Sequence, residues 1–339
     1  MTIVKQKVTP FPICVCLIAS SSPLKRHILL GACNPYLSPS TTMPLYASVY
    51  VSPSIPWSLP NGQPGGPWSP ISTTLIHTDT QAVLVDTPIT QSQTADLASW
   101  IERTLPATAN LSYIYITHGH GDHWFGTKAL LQRFPGAHVV ATKDTIAHMR
   151  SQIEPKTFQA MWSSRFPGQI DTSFRLAEPL PESGEFVIND NDDKYKMKAI
   201  EVGHADTHSS TVLWCENLRL VVAGDVVYGD VHQMLGEANT HDLRMEWVAA
   251  IDKVASLNPA IVVPGHKKPD EIDGPWHLAR SKRYILDFDE LVESGECKNA
   301  RDLVARMKVL WPTRFNDGAL IIGAINALKV KQKNSNGKL

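Results

Sequence analysis

The stretch "YITHGHGDHWFG", Tyr115–Gly126, closes an apolar run and then places three histidines and an aspartate between His118 and His123. The preceding "LSYIYIT" is rich in β-branched and aromatic residues and reads as a strand, and the periodicity after it predicts a helix over Trp124–Phe134. The unit is therefore strand, polar loop, helix. His118 and His120, two apart on a chain leaving a strand, can point the same way, with Asp122 and His123 on the next turn. Gly119 and Gly121 allow the tight backbone this convergence needs. Imidazole nitrogen and carboxylate oxygen are the ligand types expected of zinc, manganese or iron, and paired ions in hydrolytic sites lie roughly 3.5–4 Å apart.

Four ligands are too few for two ions. Further candidates stand where other strands end: His204 in "EVGHADTHSS", Asp225 in "VVAGDVVYGD" and His266 in "IVVPGHKKP". Each follows an apolar run and a glycine. A lone histidine is more often an ordinary core or surface residue, but this series in this order points to one metal site.

Through "THGHGDH", "VGH", "AGD" and "PGH", with the earlier "VLVDT" at Asp86, the sequence resembles the metallo-β-lactamase superfamily over roughly residues 70–270. The resemblance implies an α+β fold, a four-layer αββα sandwich with the metal site at one edge of two sheets, here with added C-terminal helices. It implies two divalent ions, zinc first among them. His118, His120 and His204 would bind the first, Asp122, His123 and His266 the second, and Asp225 would bridge them. Asp86 would be structural. Two positions depart from the family pattern. Pro88 replaces the usual glycine after "VDT", and Asp225 stands where the commonest class B β-lactamases use a cysteine ligand. The chain is thus more similar to the broader hydrolases, lactonases and glyoxalase II-like thioesterases.

Two close cations lower the pKa of a shared water to about 7 and polarise a carbonyl. The expected activity is hydrolysis of a small lactone, lactam, ester or thioester, in detoxification or secondary metabolism. Asp122 would both ligate and relay the proton. Tyr228, three residues beyond Asp225, is the candidate catalytic hydroxyl for the oxyanion, although a core tyrosine fits its position equally. Two other readings carry weight: a mononuclear iron sulfur dioxygenase of the same fold, and a metal-binding protein without catalysis. His208 reads as a hydrogen-bonding residue behind the ligands, and His232, on the loop after Asp225, as a residue facing substrate or, more simply, as a solvent-exposed loop histidine. Trp124, Phe125, Phe158, Met161, Trp162 and Phe166 are candidates for an apolar pocket wall or for core packing. Lys267 and Lys268 could attract a substrate carboxylate, but exposed lysines more often do nothing specific.

With 32 basic and 33 acidic side chains and a net charge of −1, nothing favours nucleic acid or a membrane surface as partner. A small carbonyl substrate fits, and a homodimer is compatible. Cys14, Cys16 and Cys33 cluster early while Cys215 and Cys297 are isolated, which is no disulfide framework and favours the cytoplasm. Residues 1–42 read as a leader or disordered tail, resembling a poor signal or transit segment. The catalytic domain is expected over 43–274, with an insertion or lid at about 154–181. A helical extension and polar tail follow over 275–339. The Pro- and Gly-rich segment Pro39–Pro70 reads as irregular covering apart from one strand at Leu45–Val51.

Overall fold

"ISTTLIH" and "QAVLV" form β4 (Ile71–His77) and β5 (Gln81–Val85), an antiparallel pair whose first strand is buried along its whole length. Burial on both faces marks it as the inner strand of a layered protein, not the half-wet strand of an open sheet. The computed structural model describes residues 44–59, 61–190 and 193–336. The leader expected over 1–42, with its three cysteines, lies outside them.

β1 (Tyr46–Ser52) pairs with β4, and β6 (Asn110–Tyr115), β7 (His138–Ala141) and the two-residue β8 (Glu178–Pro179) extend the sheet in parallel beyond β5, giving the order β1-β4-β5-β6-β7-β8. A second sheet has the order β13-β12-β11-β10-β9, from β9 (Glu185–Asp190), β10 (Asp193–Gly203), β11 (Ser210–Cys215), β12 (Leu220–Val222) and β13 (Ile261–Val263). Ile76, Val83, Val85 and Tyr115 of the first sheet pack on Ile188, Met197, Leu213 and Val222 of the second.

Helices cover both outer faces. On the first sheet lie α1 (Gln91–Thr104), α2 (Thr127–Arg133) and α3 (Lys143–Gln152), whose Leu97, Ile101, Leu130 and Met149 meet Leu75, Leu84 and Ile114. On the second lie α5 (His241–Ser256), α6 (Trp276–Glu293), α7 (Ala300–Leu310) and α8 (Asp317–Asn336), with Trp247, Ile251, Phe288 and Leu303 against Val212, Val221 and Val262. The short α4 (Pro155–Phe158) runs into a π-helical stretch, Gln159–Ser163, within the expected insertion. This is the four-layer αββα arrangement. Among the described residues no helix is long and apolar enough to cross a membrane.

Local chemistry sets the boundaries. α1 begins at Gln91, well ahead of its first apolar face residue Leu97, because Thr90 and Gln93 form a reciprocal capping box. α2 begins three residues later than expected because Gly121–His123 is a separate 3₁₀ turn. The Pro- and Gly-rich segment is not irregular throughout: β2 (Ile55–Ser58) and β3 (Pro64–Trp68) form a two-stranded ribbon with Pro56 facing Pro67. A ribbon with free edges tolerates prolines that a central strand would not.

Trp247 anchors the α5 layer: it is fully buried and its indole N–H donates to the Val226 carbonyl at 2.9 Å. Trp247→Ala is expected to lower unfolding free energy by about 3–5 kcal/mol. Equilibrium urea unfolding measures this, and a loss below about 1 kcal/mol would show that the packing here is not as tight as in ordinary cores.

Candidate metal centre

Every candidate ligand sits just past the end of a strand, at one edge of the two sheets. The chain leaves β6 into Thr117–His123, leaves β12 into a 3₁₀ turn at Gly224–Val226, and leaves β13 into Pro264–His266. Gly119 and Gly121 act here through close approach: a Cβ on the first would strike His148 and on the second Phe125.

Each imidazole has one nitrogen tied to an outer partner, which leaves the other facing a shared interior. His123 Nδ1 donates to Asp86 Oδ2 at 2.9 Å, and His266 Nδ1 donates to the Pro70 carbonyl at 3.0 Å. His118 Nδ1 lies 3.0 Å from Thr117 Oγ1, whose own proton goes to Asp86 Oδ2 at 2.8 Å. His120 Nε2 meets Glu237 Oε1 at 3.1 Å. Such outer hydrogen bonds fix tautomer and ring orientation in metal sites.

The inner atoms fall into three groups whose members lie within 4.8 Å of one another: His118, His123 and Asp225; His118, His120 and Asp206; Asp122, His123 and His266. His118 Nε2 is buried with no hydrogen-bond partner, and the Nε2 atoms of His123 and His266 stand 3.4 Å apart. With both Nδ1 protons directed outward these are two facing lone pairs. Tetrahedral ligand atoms about 2.1 Å from zinc are themselves about 3.4 Å apart. Asp122, Asp206 and Asp225 are buried beside them. Buried carboxylates without matching cations are strongly unfavourable, so the donor set fits divalent metal.

The electrostatics agree. Burial opposes the Asp225 carboxylate, yet His266 and His123 outweigh it and hold its pKa well below the usual range. Burial pushes Asp206 up to about 6 against the pull of His120. Burial drives His118 well below the ordinary histidine value, whereas Asp225 and Asp86 overcome burial at His123 and raise it. Protons and metal compete for the same lone pairs, so metal binding releases protons.

The structure thus brings together His118, His120, Asp122, His123, Asp225 and His266. It does not bring in His204, which is only partly buried and joins none of the three groups; a bulge in β10 between Glu201 and Gly203 redirects the chain, and Asp206 occupies that side instead. Tyr228 is buried at the centre, but its hydroxyl donates in a short hydrogen bond to Asp225 Oδ2, so it is not a free oxyanion donor. Burial and Asp225 push its pKa well above the ordinary value, which keeps the phenol neutral. His208 is exposed, with Nδ1 3.4 Å from Thr207 Oγ1 and its ring tilted by 39° against His148 at a centroid distance of 4.3 Å.

His232 is not the solvent-exposed loop residue that its sequence position suggests: it is fully buried and lines the cavity that opens onto the centre, with Nδ1 2.9 Å from the Tyr284 hydroxyl. Lys267 and Lys268 do not face the centre; they pair with Asp273 at 2.6 Å and Asp230 at 2.7 Å. Three contributors had no distinctive sequence signal: Trp68, whose indole donates to Asp122 Oδ2 at 3.0 Å, Glu237 behind His120, and Asp206. For Asp206 the nearest clue is a carboxylate two residues after His204.

A cavity of about 410 Å³ opens onto His120, Asp122, Asp206, Asp225 and His266. Its walls come from Trp68, from Met161, Trp162 and Arg165 of the insertion, from Met234 and Gly236, and from Ala319, Ile322 and Asn326 of α8. Of the aromatic candidates Trp162 reaches the cavity, while Trp124, Phe125 and Phe166 are core residues.

Two packed sheets between helix layers, with histidine and aspartate groups at one sheet edge, define a metallo-hydrolase architecture. The family model of the Metallo-beta-lactamase superfamily matches residues 66–266, and the chain belongs to that superfamily. Solved structures similar to it include the metallo-beta-lactamase from Pontibacter korlensis, with 18% sequence identity, 72% of this chain and 95% of that chain covered, and a TM-score of 0.48. FIM-1 from Pseudomonas aeruginosa, solved in its mono-zinc form, shows 16% identity with 72% and 92% covered and a TM-score of 0.49. A search of curated proteins found no match.

Asp86 supports the centre from behind. Asp86→Ala is expected to weaken metal binding about 10–100-fold, as loss of an outer partner of ligating histidines does. Competition titration with a chromophoric chelator measures it, and an unchanged affinity would show that the ligand loop holds itself.

Proposed function

We propose that this member of a superfamily of metal-dependent hydrolases binds two divalent ions, zinc foremost, and hydrolyses a small lactone, lactam, ester or thioester. The observation that supports this reading is the convergence of inward lone pairs and carboxylates on a floor beneath a substrate-sized cavity, since sites for small ligands span roughly 300–1,000 Å³ and this one measures about 410 Å³. His118, His120 and Asp225 would hold one ion, and Asp122, His123, His266 and Asp225 the other. When bound, the metals polarise a carbonyl and make water acidic enough to deprotonate near neutrality.

The protein's own part is positioning and proton transfer. Asp122 faces the cavity, and the Trp68 indole N–H on its Oδ2 fixes the carboxylate plane. A carboxylate so held takes the proton of the attacking water and returns it to the leaving group. Tyr228 orients Asp225 through its hydroxyl and acts as a positioning residue. Trp68, Met161 and Trp162 present apolar surface beside the reacting carbonyl, which excludes competing water.

Purified protein is expected to carry about two zinc or manganese ions per chain. It should hydrolyse at least one member of a lactone, lactam and thioester panel. Asp225→Ala should lower that rate by roughly a thousand-fold, equivalent to several kcal/mol of lost stabilisation. Fully metal-loaded wild type that turns over nothing in the panel would sink the reading. A chelator should abolish activity and added zinc should restore it within the same assay. Trp68→Phe, which removes the donor to Asp122 and keeps the ring, is expected to lower kcat about ten-fold at unchanged metal content, the loss of roughly one hydrogen bond to a charged group; an unchanged kcat would show that Asp122 is oriented without it.

A further inference from the structure

We infer that Asp206, in place of His204, is the third side chain that holds the first metal alongside His118 and His120; this rests on the two-cation reading above. Asp206 Oδ2 lies 2.9 Å from His120 Nδ1 and 3.8 Å from His118 Nε2. The residue is 1% exposed, and neither of its oxygens has an aligned hydrogen-bond donor. A carboxylate removed from water and given no donor is stable only against a cation. With the His120 Nε2 proton directed outward to Glu237, the Nδ1 lone pair and the Asp206 carboxylate meet at 2.9 Å as two electron-pair donors to a third body.

The backbone holds this arrangement. The bulge in β10 and the left-handed Gly203, with φ of 89°, swing His204 away from the other ligands. The loop that follows is pinned from both sides: Thr207 Oγ1 donates to Glu237 Oε2 at 2.7 Å, and Ser210 Oγ donates to the Thr207 carbonyl at 2.9 Å. The other oxygen of Glu237 holds His120 Nε2 at 3.1 Å. One carboxylate therefore ties the Asp206 loop to the His120 ring and fixes the distance between their inner atoms. His204 Nε2 also lacks a partner, but it joins none of the groups of candidate ligand atoms.

The assignment changes the chemistry of the first seat. Two imidazoles with a carboxylate form a harder and more anionic donor set than three imidazoles, one that carboxylate preference opens to manganese and that, as two histidines with one carboxylate, also suits iron(II).

The test loads apo protein with Co(II) and reads bound equivalents together with the visible d–d spectrum, on wild type and on Asp206→Ala, Asp206→His and His204→Ala. Wild type should bind about two equivalents and Asp206→Ala about one, with the lost equivalent at least about 100-fold weaker. His204→Ala should keep both with an unchanged spectrum. Asp206→His, which keeps a ligand atom, should bind both with a shifted band, and this variant decides the matter where the alanine variant does not fold. Wild type with two equivalents together with Asp206→Ala retaining both, an Asp206→His spectrum identical to wild type, or loss of one equivalent in His204→Ala, would each overturn the assignment alone. Wild type that takes up no cobalt would overturn the two-cation reading and the assignment together.

Discussion

One buried carboxylate organises the ligand loop. Asp86 leaves β5 with a left-handed φ of 62°, a conformation Asp tolerates better than most residues but still at some strain. From there Oδ1 accepts the Thr117 backbone N–H and Oδ2 accepts both Thr117 Oγ1–H and His123 Nδ1–H. The tautomer of His123 is set directly and that of His118 through the threonine hydroxyl. Without these three bonds the turn after β6 would have no reason to aim its imidazoles inward. The strain at Asp86 is sustained because the surrounding hydrogen bonds leave it no alternative.

The sequence made the centre legible where function and strand ends coincide. His118, His120, Asp122 and His123 crowd into the one loop after an apolar strand, and Asp225 and His266 each follow an apolar run and a glycine, so residue type and position after a strand mark them as candidates for one sheet edge. His204 met the same criterion and stays outside, because a bulge in β10 shifts the chain by a residue and no composition signal marks that shift. Trp68 and Glu237 were invisible for a different reason: they reach the site across long sequence separations, from a proline-rich ribbon and an irregular loop. His232 was misjudged because a polar residue on a connection looks exposed until the C-terminal helices are packed over it.

The cavity divides labour along the chain. Its floor belongs to the strand-end turns, which are rigid and cross-tied. Its walls belong to the ribbon before β4, the insertion after α3, the loop before α5, and α8. These segments contribute Trp68, Met161, Trp162, Met234 and Ile322, and two of them also reach the floor, through Trp68 on Asp122 and Glu237 on His120. Wall residues such as Met161, Met234 and Ile322, which hold none of the ligands, can change with little effect on the floor, and to that extent substrate choice is physically separable from the chemistry.

The position of α8 has a consequence for the order in which the protein is made. The last ligand, His266, precedes the last wall residue, Asn326, by about sixty residues, which at ordinary elongation speeds of roughly 5–20 residues per second is several seconds of synthesis. During that interval the nascent chain already contains every ligand while the roof over them has yet to be translated. The α8 wall of the cavity is therefore the last part of the chamber to be synthesised, after every residue that could hold a cation.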